Sequence, residues 1–268
     1  MQELISSIKH VLKEKDLLPF SIYSSIKKQR ILNVPILKPL MICILDGQKK
    51  LGQSDDIICP AGSFVFLSNG PNIDVRNIPT DSEYFALLIE FDYEDFDCLV
   101  HKSVHKQRYV QGQIDPLLEE TLKQFVEWSA FAPPEIWSAR RQEILKLMCY
   151  LGYEQLSAIA EPPTLGHQVS RIISANISDD LSMSALSSQL AMSESSLRRK
   201  LNREGVSIKS IKDRTRLGYG LHLIQTSYES VGLIAEKCGY HSQSRFTEKF
   251  KQLFGITPTE LRKTRLHD

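Results

Sequence analysis

Ser182-Met-Ser-Ala-Leu-Ser-Ser-Gln-Leu-Ala-Met-Ser-Glu-Ser-Ser-Leu-Arg-Arg-Lys-Leu-Asn-Arg-Glu-Gly205 carries a pattern that returns in Ser230-Val-Gly-Leu-Ile-Ala-Glu-Lys-Cys-Gly-Tyr-His-Ser-Gln-Ser-Arg-Phe-Thr-Glu-Lys-Phe-Lys-Gln-Leu-Phe-Gly255. Each copy reads as a short helix, a three- or four-residue turn, and a longer basic helix closed by Gly. One such helix–turn–helix unit lays one helix in a major groove. Two in one chain point to a protein that reads two neighbouring groove segments of duplex DNA.

The residues of each unit fall into roles. In the first, Leu186 and Leu190 face inward and Ala191-Met-Ser193 makes the turn, with Ser193 placed as N-cap of the next helix. That helix carries Ser195, Arg198, Arg199, Lys200 and Arg203, anchored by Leu197 and Leu201. In the second, Ile234 and Ala235 are the inward residues of the supporting helix. Gly239 suits a left-handed turn, and Ser242 caps the second candidate reading helix. Gln243, Ser244 and Arg245 occupy its first turn, where such helices meet base edges. Phe246, Phe250 and Phe254 recur every four residues and read as core. Between the units Ile208, Ile211, Leu217, Leu221 and Ile224 support a long connecting helix. Gly218 and Gly220 weaken that helix by about 1 kcal/mol each relative to Ala, so another element is expected to pack closely there. Glu260-Leu-Arg262 opens a last short helix.

Working outward, Glu161-Pro-Pro-Thr-Leu-Gly166 is the clearest linker. It separates a domain over 1–160 from a DNA-binding domain over 167–268. Charge divides the same way. From Gly166 to Asp268 there are 16 Lys and Arg against 10 Asp and Glu, a balance of +6. The rest of the chain holds 17 against 22, a balance of −5. A basic module joined to a mildly acidic one fits a nucleic-acid reader tied to a part with another task.

From about 20 to 96 short β-rich runs alternate with turn signals such as Asp46-Gly47, Pro60-Ala-Gly62 and Asn69-Gly70-Pro71. Strands at this spacing predict a small barrel or sandwich. Helical stripes follow over about 114–156, split at Pro133-Pro134 into an antiparallel pair. A surplus apolar face on that pair would serve as a dimer surface. Near the start, Leu4, Ile5, Ile8, Val11 and Leu12 mark a short amphipathic helix, read as packing on its own domain or against a second subunit. The fold class is thus two-domain α+β: a β-barrel with a following helix pair, then an all-α domain of two helix–turn–helix units joined by a long helix.

Several classes are set aside. The five cysteines are odd in number and scattered without a Cys-x-x-Cys, which fits reduced thiols. The N-terminus has no signal-peptide pattern, and no run approaches the ~18 apolar residues of a membrane span, so a cytoplasmic protein without membrane association is expected. The strand region holds no His, while His101 and His105 lie beyond it among cations without an evident third ligand; no metal and no cofactor are predicted. An enzyme, such as a barrel catalyst with a DNA-binding tail, is disfavoured. No Ser/His/Asp or Cys/His constellation and no phosphate-cradling Gly loop appears, and no catalytic residue is assigned.

Residues 168–265 resemble the AraC/XylS family of bacterial transcription regulators. The matching points are Leu190-Ala191, Met192-Ser193, Leu197-x-Arg199, Gly205, Arg216, Ile234-Ala235, Gly239-Tyr240, Ser242, Phe246, Phe250-Lys251, Phe254-Gly255, Thr257-Pro258 and Arg262. Ile44-Leu-Asp-Gly-Gln-Lys-Lys-Leu51, Ala61-Gly62 and Tyr84-Phe-Ala-Leu-Leu-Ile resemble the family's cupin-like regulatory domain. Two departures stand out. Leu201-Asn202 sit where the family places an aromatic before a basic residue, and Glu248 sits where it places a cation. The resemblance implies a DNA-binding regulator, an activator by preference, whose N-terminal domain binds a small effector and whose neighbouring helices form a homodimer. RNA polymerase is then a further partner. A protein partner gating the N-terminal domain is the alternative.

On this reading Arg198, Arg199, Gln243 and Arg245 contact bases, each good bidentate pair giving roughly 1–3 kcal/mol of discrimination. Lys200, Arg203, Lys249 and Lys251 hold phosphates and set register, and Ser195 and Ser244 join the same surface. Glu248 would accept from cytosine N4, pair with a neighbouring cation, or stay silent. Lys27, Lys28 and Arg30 are the candidates for attracting an anionic effector.

Overall fold

Alternating inward apolar residues build two antiparallel sheets in the N-terminal domain of the computed structural model, which describes residues 1–15, 17–54, 57–80, 82–99, 108–159 and 164–265. The first sheet has the order β1 (Ser21–Ser25), β8 (Tyr84–Glu90), β3 (Leu40–Asp46), β6 (Ser63–Leu67), β9 (Tyr109–Gln113). The second runs β2 (Gln29–Ile36), β7 (Gly70–Ile78), β4 (Gln48–Leu51), β5 (Ile57–Pro60). Ile36, Ile42, Leu51, Ile57, Val65, Val75 and Leu88 fill one core cluster of buried side chains with members on both sheets. The central strands β3, β6 and β8 are buried on both faces, because their other face takes the helices. This accounts for their near-continuous apolar runs.

The β structure does not end near residue 96 as expected. A 3-10 turn over Tyr93–Cys98 follows β8, and β9 then pairs antiparallel with β6 from Ser63↔Gln113 to Leu67↔Tyr109. Its sequence, Tyr-Val-Gln-Gly-Gln, lacks an apolar alternation, since only Val110 is fully buried. His101 and His105 lie outside the described residues. Among the described residues no group of three or more metal-ligating side chains forms, and no helix is long and apolar enough to cross a membrane.

Helix α1 (Gln2–Glu14) lays Leu4, Ile5, Ile8 and Val11 into the domain's own core and packs along α2 (Pro116–Ser129). Of the two readings of this arm, its own domain takes the apolar stripe. Asp115 caps α2 by accepting from Leu118 N at 2.8 Å. After the Pro133-Pro134 break, α3 (Trp137–Tyr150) returns along α2. Its Arg141 binds Asp95, which is fully buried, through Nε at 2.5 Å, and Asp92 through Nη2 at 2.7 Å. A buried carboxylate requires such a charged partner.

The C-terminal domain starts earlier than expected. Thr164 caps α4 (Leu165–Ala175), so Leu165 and Gly166, read as linker, are the first helical turn. Next come α5 (Met183–Gln189), α6 (Glu194–Arg203), the 19-residue α7 (Ile208–Thr226), α8 (Val231–Lys237), α9 (Gln243–Phe254) and α10 (Pro258–Arg262). One small core holds Val169, Ile173, Leu186, Leu197 and Leu201; a second holds Leu221, Ile224, Ile234, Phe246, Phe250 and Phe254. Helix α7 contributes to both.

The two domains are docked against each other, which a linker alone does not predict. Ile31 of β2 belongs to the second helical core. Asn33 donates from Nδ2 to Leu253 O at 3.0 Å, Ile26 N donates to Thr264 O at 2.8 Å, and Arg214 donates to Asn72.

Candidate nucleic-acid interface and interdomain cavity

Serine sets the start of both reading helices. Ser193 Oγ accepts from Ser196 N at 3.3 Å at the head of α6, and Ser242 Oγ accepts from Arg245 N at 3.4 Å at the head of α9. Each satisfies one of the orphan donors of a first helical turn. The preceding turns use a left-handed residue at corresponding places. In the second unit it is Gly239 (φ 75°); in the first it is Ala191 (φ 50°). A non-Gly residue in that region carries a steric cost that the glycine of the second turn avoids.

Leu197 and Leu201 anchor α6, leaving Ser195, Arg198, Arg199, Lys200 and Arg203 exposed. Glu194, Ser195, Arg198, Arg199, Asn202 and Arg203 line one open depression. Lys200 is exposed but does not line that depression. On α9, Phe246, Phe250 and Phe254 are wholly buried, while Gln243, Ser244, Arg245, Glu248 and Lys251 are exposed. Lys249 is half-buried and lies 3.8 Å from Asp213 of α7.

The glycines of α7 answer the packing expectation. A Cβ on Gly220 would stand 2.8 Å from the Phe246 ring, and one on Gly218 would stand 2.9 Å from Pro35 Cγ of β2. One glycine admits the core of the second unit; the other admits the N-terminal domain. Arg216 of α7 ties the two helical units together by donating to Ile177 O at 3.1 Å and Asp179 O at 2.8 Å on one side and to Gly239 O at 3.5 Å on the other.

Between the domains lies a cavity of about 490 Å³. Phe20, Val34, Ile42 and Leu88 form its apolar wall on the barrel side, and Leu221 and His222 of α7 face them. Lys27, Lys28 and Arg30 do not line it. All three are exposed, Arg30 because it alternates with the inward Gln29 and Ile31 along β2. The cavity's cations are instead Lys38, Lys49 and Arg141. Lys38 pairs with Asp92 at 2.8 Å, and Arg141 with Asp92 and Asp95.

Lys49 differs from both. It is 2 % exposed, and its Nζ donates to Asn77 Oδ1 at 2.7 Å and to Tyr84 Oη at 3.3 Å. None of the ion pairs among the described residues includes it. Burial pushes its ammonium down to about 7, and the neighbouring Cys59 thiol up to about 11. Sheet register creates this environment: Gln29↔Asn77, Asn77↔Lys49 and Lys49↔Cys59 are cross-strand partners, so the four side chains form one row on the inner face of the second sheet. Sequence reasoning missed Lys49 because Lys49-Lys50 looks like solvated surface. The available signal was Leu51, an inward residue two positions on, which places Lys49 on the same face. The row continues into the other domain. Asn77 Nδ2 donates to Gln29 Oε1 at 2.7 Å, Gln29 Nε2 donates to Thr264 Oγ1 at 2.7 Å, and Gln225 Nε2 donates to Gln29 Oε1 at 3.1 Å.

Two docked helix–turn–helix units with cationic outer helices define a DNA-binding domain of the AraC/XylS type, and residues 186–264 match the family model described as a helix-turn-helix domain. Over 98 residues the chain is 36 % identical to the HTH-type transcriptional regulator GadX of Escherichia coli, covering 37 % of this chain and 36 % of that one. It is 32 % identical over 90 residues to the regulator AdiY of Escherichia coli, covering 34 % and 36 %. It is also 40 % identical over 68 residues to a urease operon transcriptional activator of Escherichia coli, covering 25 % and 23 %. These matches span about a third of the relatives' length or less. The whole fold is similar to crystal structures of ToxT from Vibrio cholerae. One, with an unsaturated fatty acid bound, superposes with a TM-score of 0.64 at 14 % identity over 94 % of this chain and 97 % of that one. Another gives 0.63 at 15 % identity over 95 % and 100 %.

Proposed function

We propose that this chain is a cytoplasmic, sequence-specific transcription regulator, an activator, controlled through its N-terminal domain by a small molecule. The observation that carries the DNA-reading part is the pair of Ser-capped helices, α6 and α9, each buried on its apolar stripe and exposed on the stripe bearing Arg198 and Arg199 or Gln243 and Arg245. Arg198, Arg199, Gln243 and Arg245 read bases; Lys200, Arg203 and Lys251 hold phosphates, and Lys249 assists, with Ser195 and Ser244 on the same faces. The two helices enter successive major-groove segments about 34 Å apart, so one protomer covers an asymmetric site.

The activator reading draws on the relative named as a urease operon activator, and makes RNA polymerase a partner. A homodimer through α2 and α3 is supported by Leu117, Phe131, Ile136 and Tyr150, which those helices and the turn between them leave exposed. Small-molecule control is supported by the cavity between the domains. Any ligand there touches both β2 and α7, so it favours one arrangement of the domains over another. The similar fold of ToxT crystallised with an unsaturated fatty acid supports an elongated, largely apolar ligand.

Selection of bound duplexes from a random pool tests the reading. An asymmetric motif of two blocks about one helical turn apart is expected. A pool that shows no enrichment, with or without fatty acid present, overturns it.

A further inference from the structure

We infer that Lys49 anchors the anionic head of the cavity ligand, and that the buried row Lys49–Asn77–Gln29 transmits its presence to Gln225 and Thr264 of the DNA-binding domain. This rests on the ligand-controlled reading above and assigns the residues that would carry it.

Lys38 and Arg141 enter the cavity already neutralised by Asp92 and Asp95. Lys49 has only neutral partners, an amide oxygen and a phenol, and is withdrawn from water. A buried ammonium is costly without a counter-charge. Glu90 and Asp92, the carboxylates of the cavity wall, interact with Lys38 and Arg141 rather than with Lys49, so an anion entering the cavity supplies the missing counter-charge and holds Lys49 in its charged form.

A charged lysine donates and never accepts. It therefore fixes Asn77 with its oxygen toward Nζ and its NH2 toward Gln29. That in turn fixes Gln29 with its oxygen toward Asn77 and its NH2 toward Thr264, at 2.7 Å, and Gln225 Oε1, at 3.5 Å. Gln29 Oε1 accepts from both Asn77 and Gln225, so its amide is fully used. Once Lys49 loses its proton, nothing at that end dictates the orientation of either amide. The row then has two polarities available, and only one matches Gln225 and Thr264 as they stand. Occupancy of the cavity thereby biases docking of α7 and the segment after α10 on β2. Gln29 and Gln225 are each 1 % exposed, so water does not substitute for a mismatched bond.

Decanoate and decan-1-ol, equal in chain length and differing in head charge, test the anchor by calorimetry on the full chain. Wild type is expected to bind decanoate at least about tenfold more tightly, the ratio expected for one charge-assisted contact. Lys49→Gln is expected to bring the two affinities within about twofold, and Lys38→Gln to leave the ratio in place. The transmission is read on a duplex enriched from the random pool. Decanoate is expected to change wild-type affinity at least about threefold, whereas Gln225→Met and Thr264→Val bind decanoate as wild type but respond less than half as much on DNA. Thr264→Val supplies the reading where Gln225→Met fails to fold. Equal binding of the two probes by wild type, or a decanoate preference surviving in Lys49→Gln, overturns the anchor. An undiminished DNA response in a folded row variant, or no response in wild type, overturns the transmission. Failure to enrich any duplex counts against the DNA-reading function and leaves the calorimetric result standing.

Discussion

Gly220 shows how one residue records a fold. Alanine there gains about 1 kcal/mol of helix propensity. It also drives a Cβ to 2.8 Å from the fully buried Phe246 ring, and overpacking of that kind costs about 1–3 kcal/mol. The packing cost wins, so Gly220→Ala is expected to lower the urea midpoint, with a net loss of up to about 2 kcal/mol. An unchanged or raised midpoint contradicts the close approach. At Lys49 the folded state holds the ammonium near 7, below its ordinary value of 10.5. Between those values the unfolded chain binds the proton and the folded chain does not, so stability rises with pH. The slope from this group is at most about 1.4 kcal/mol per pH unit. Above pH 9 the raised thiols oppose it, because they keep a proton in the folded state that the unfolded chain releases. Urea unfolding from pH 7 to 9 is expected to show this rise in wild type and to lose it in Lys49→Met.

At the scale of elements, α6 and α9 were legible because each carries a complete local code: Ser cap, apolar spacing of three and four, and a Gly at the end or just beyond it. Ser193→Ala and Ser242→Ala are each expected to cost about 1 kcal/mol in urea unfolding. Glu248 stands exposed on α9, so Glu248→Lys is expected to strengthen binding to random-sequence duplex and to steepen its salt dependence by about one unit of log–log slope. An unchanged slope places Glu248 away from the backbone. Strand β9 was not legible, since a polar edge strand with one buried residue has no periodic signal. The effector candidates Lys27, Lys28 and Arg30 stand outside the interdomain cavity for a related reason. Lys27, Lys28 and Arg30 form an obvious cluster in sequence, but the face that a strand residue takes depends on its inward neighbours. The inner row of Gln29, Asn77, Lys49 and Cys59 comes from four strands and exists only once register is set.

For the whole molecule, the division into a strand-rich half and a helical half was plain in the sequence, but their docking was not. Ile31 illustrates why. Its pattern assigns it to a strand, whereas the buried cluster it joins, with Leu221, Phe250 and Phe254, lies more than 180 residues away in sequence. Because it belongs to the core of the second unit, Ile31→Ala is expected to cost about 2–5 kcal/mol in the unfolding of the C-terminal domain, followed by hydrogen exchange of α7. A loss confined to the barrel contradicts a shared core.

Base reading by both helical units is checked by binding wild type, Arg199→Ala and Arg245→Ala to the enriched duplex and to versions with each block scrambled. Each arginine variant is predicted to lose about tenfold or more on the intact duplex and to become indifferent to scrambling of one block only, a different block for each variant. An Arg245→Ala protein that still discriminates both blocks as wild type does would mean that the second unit does not read bases through Arg245.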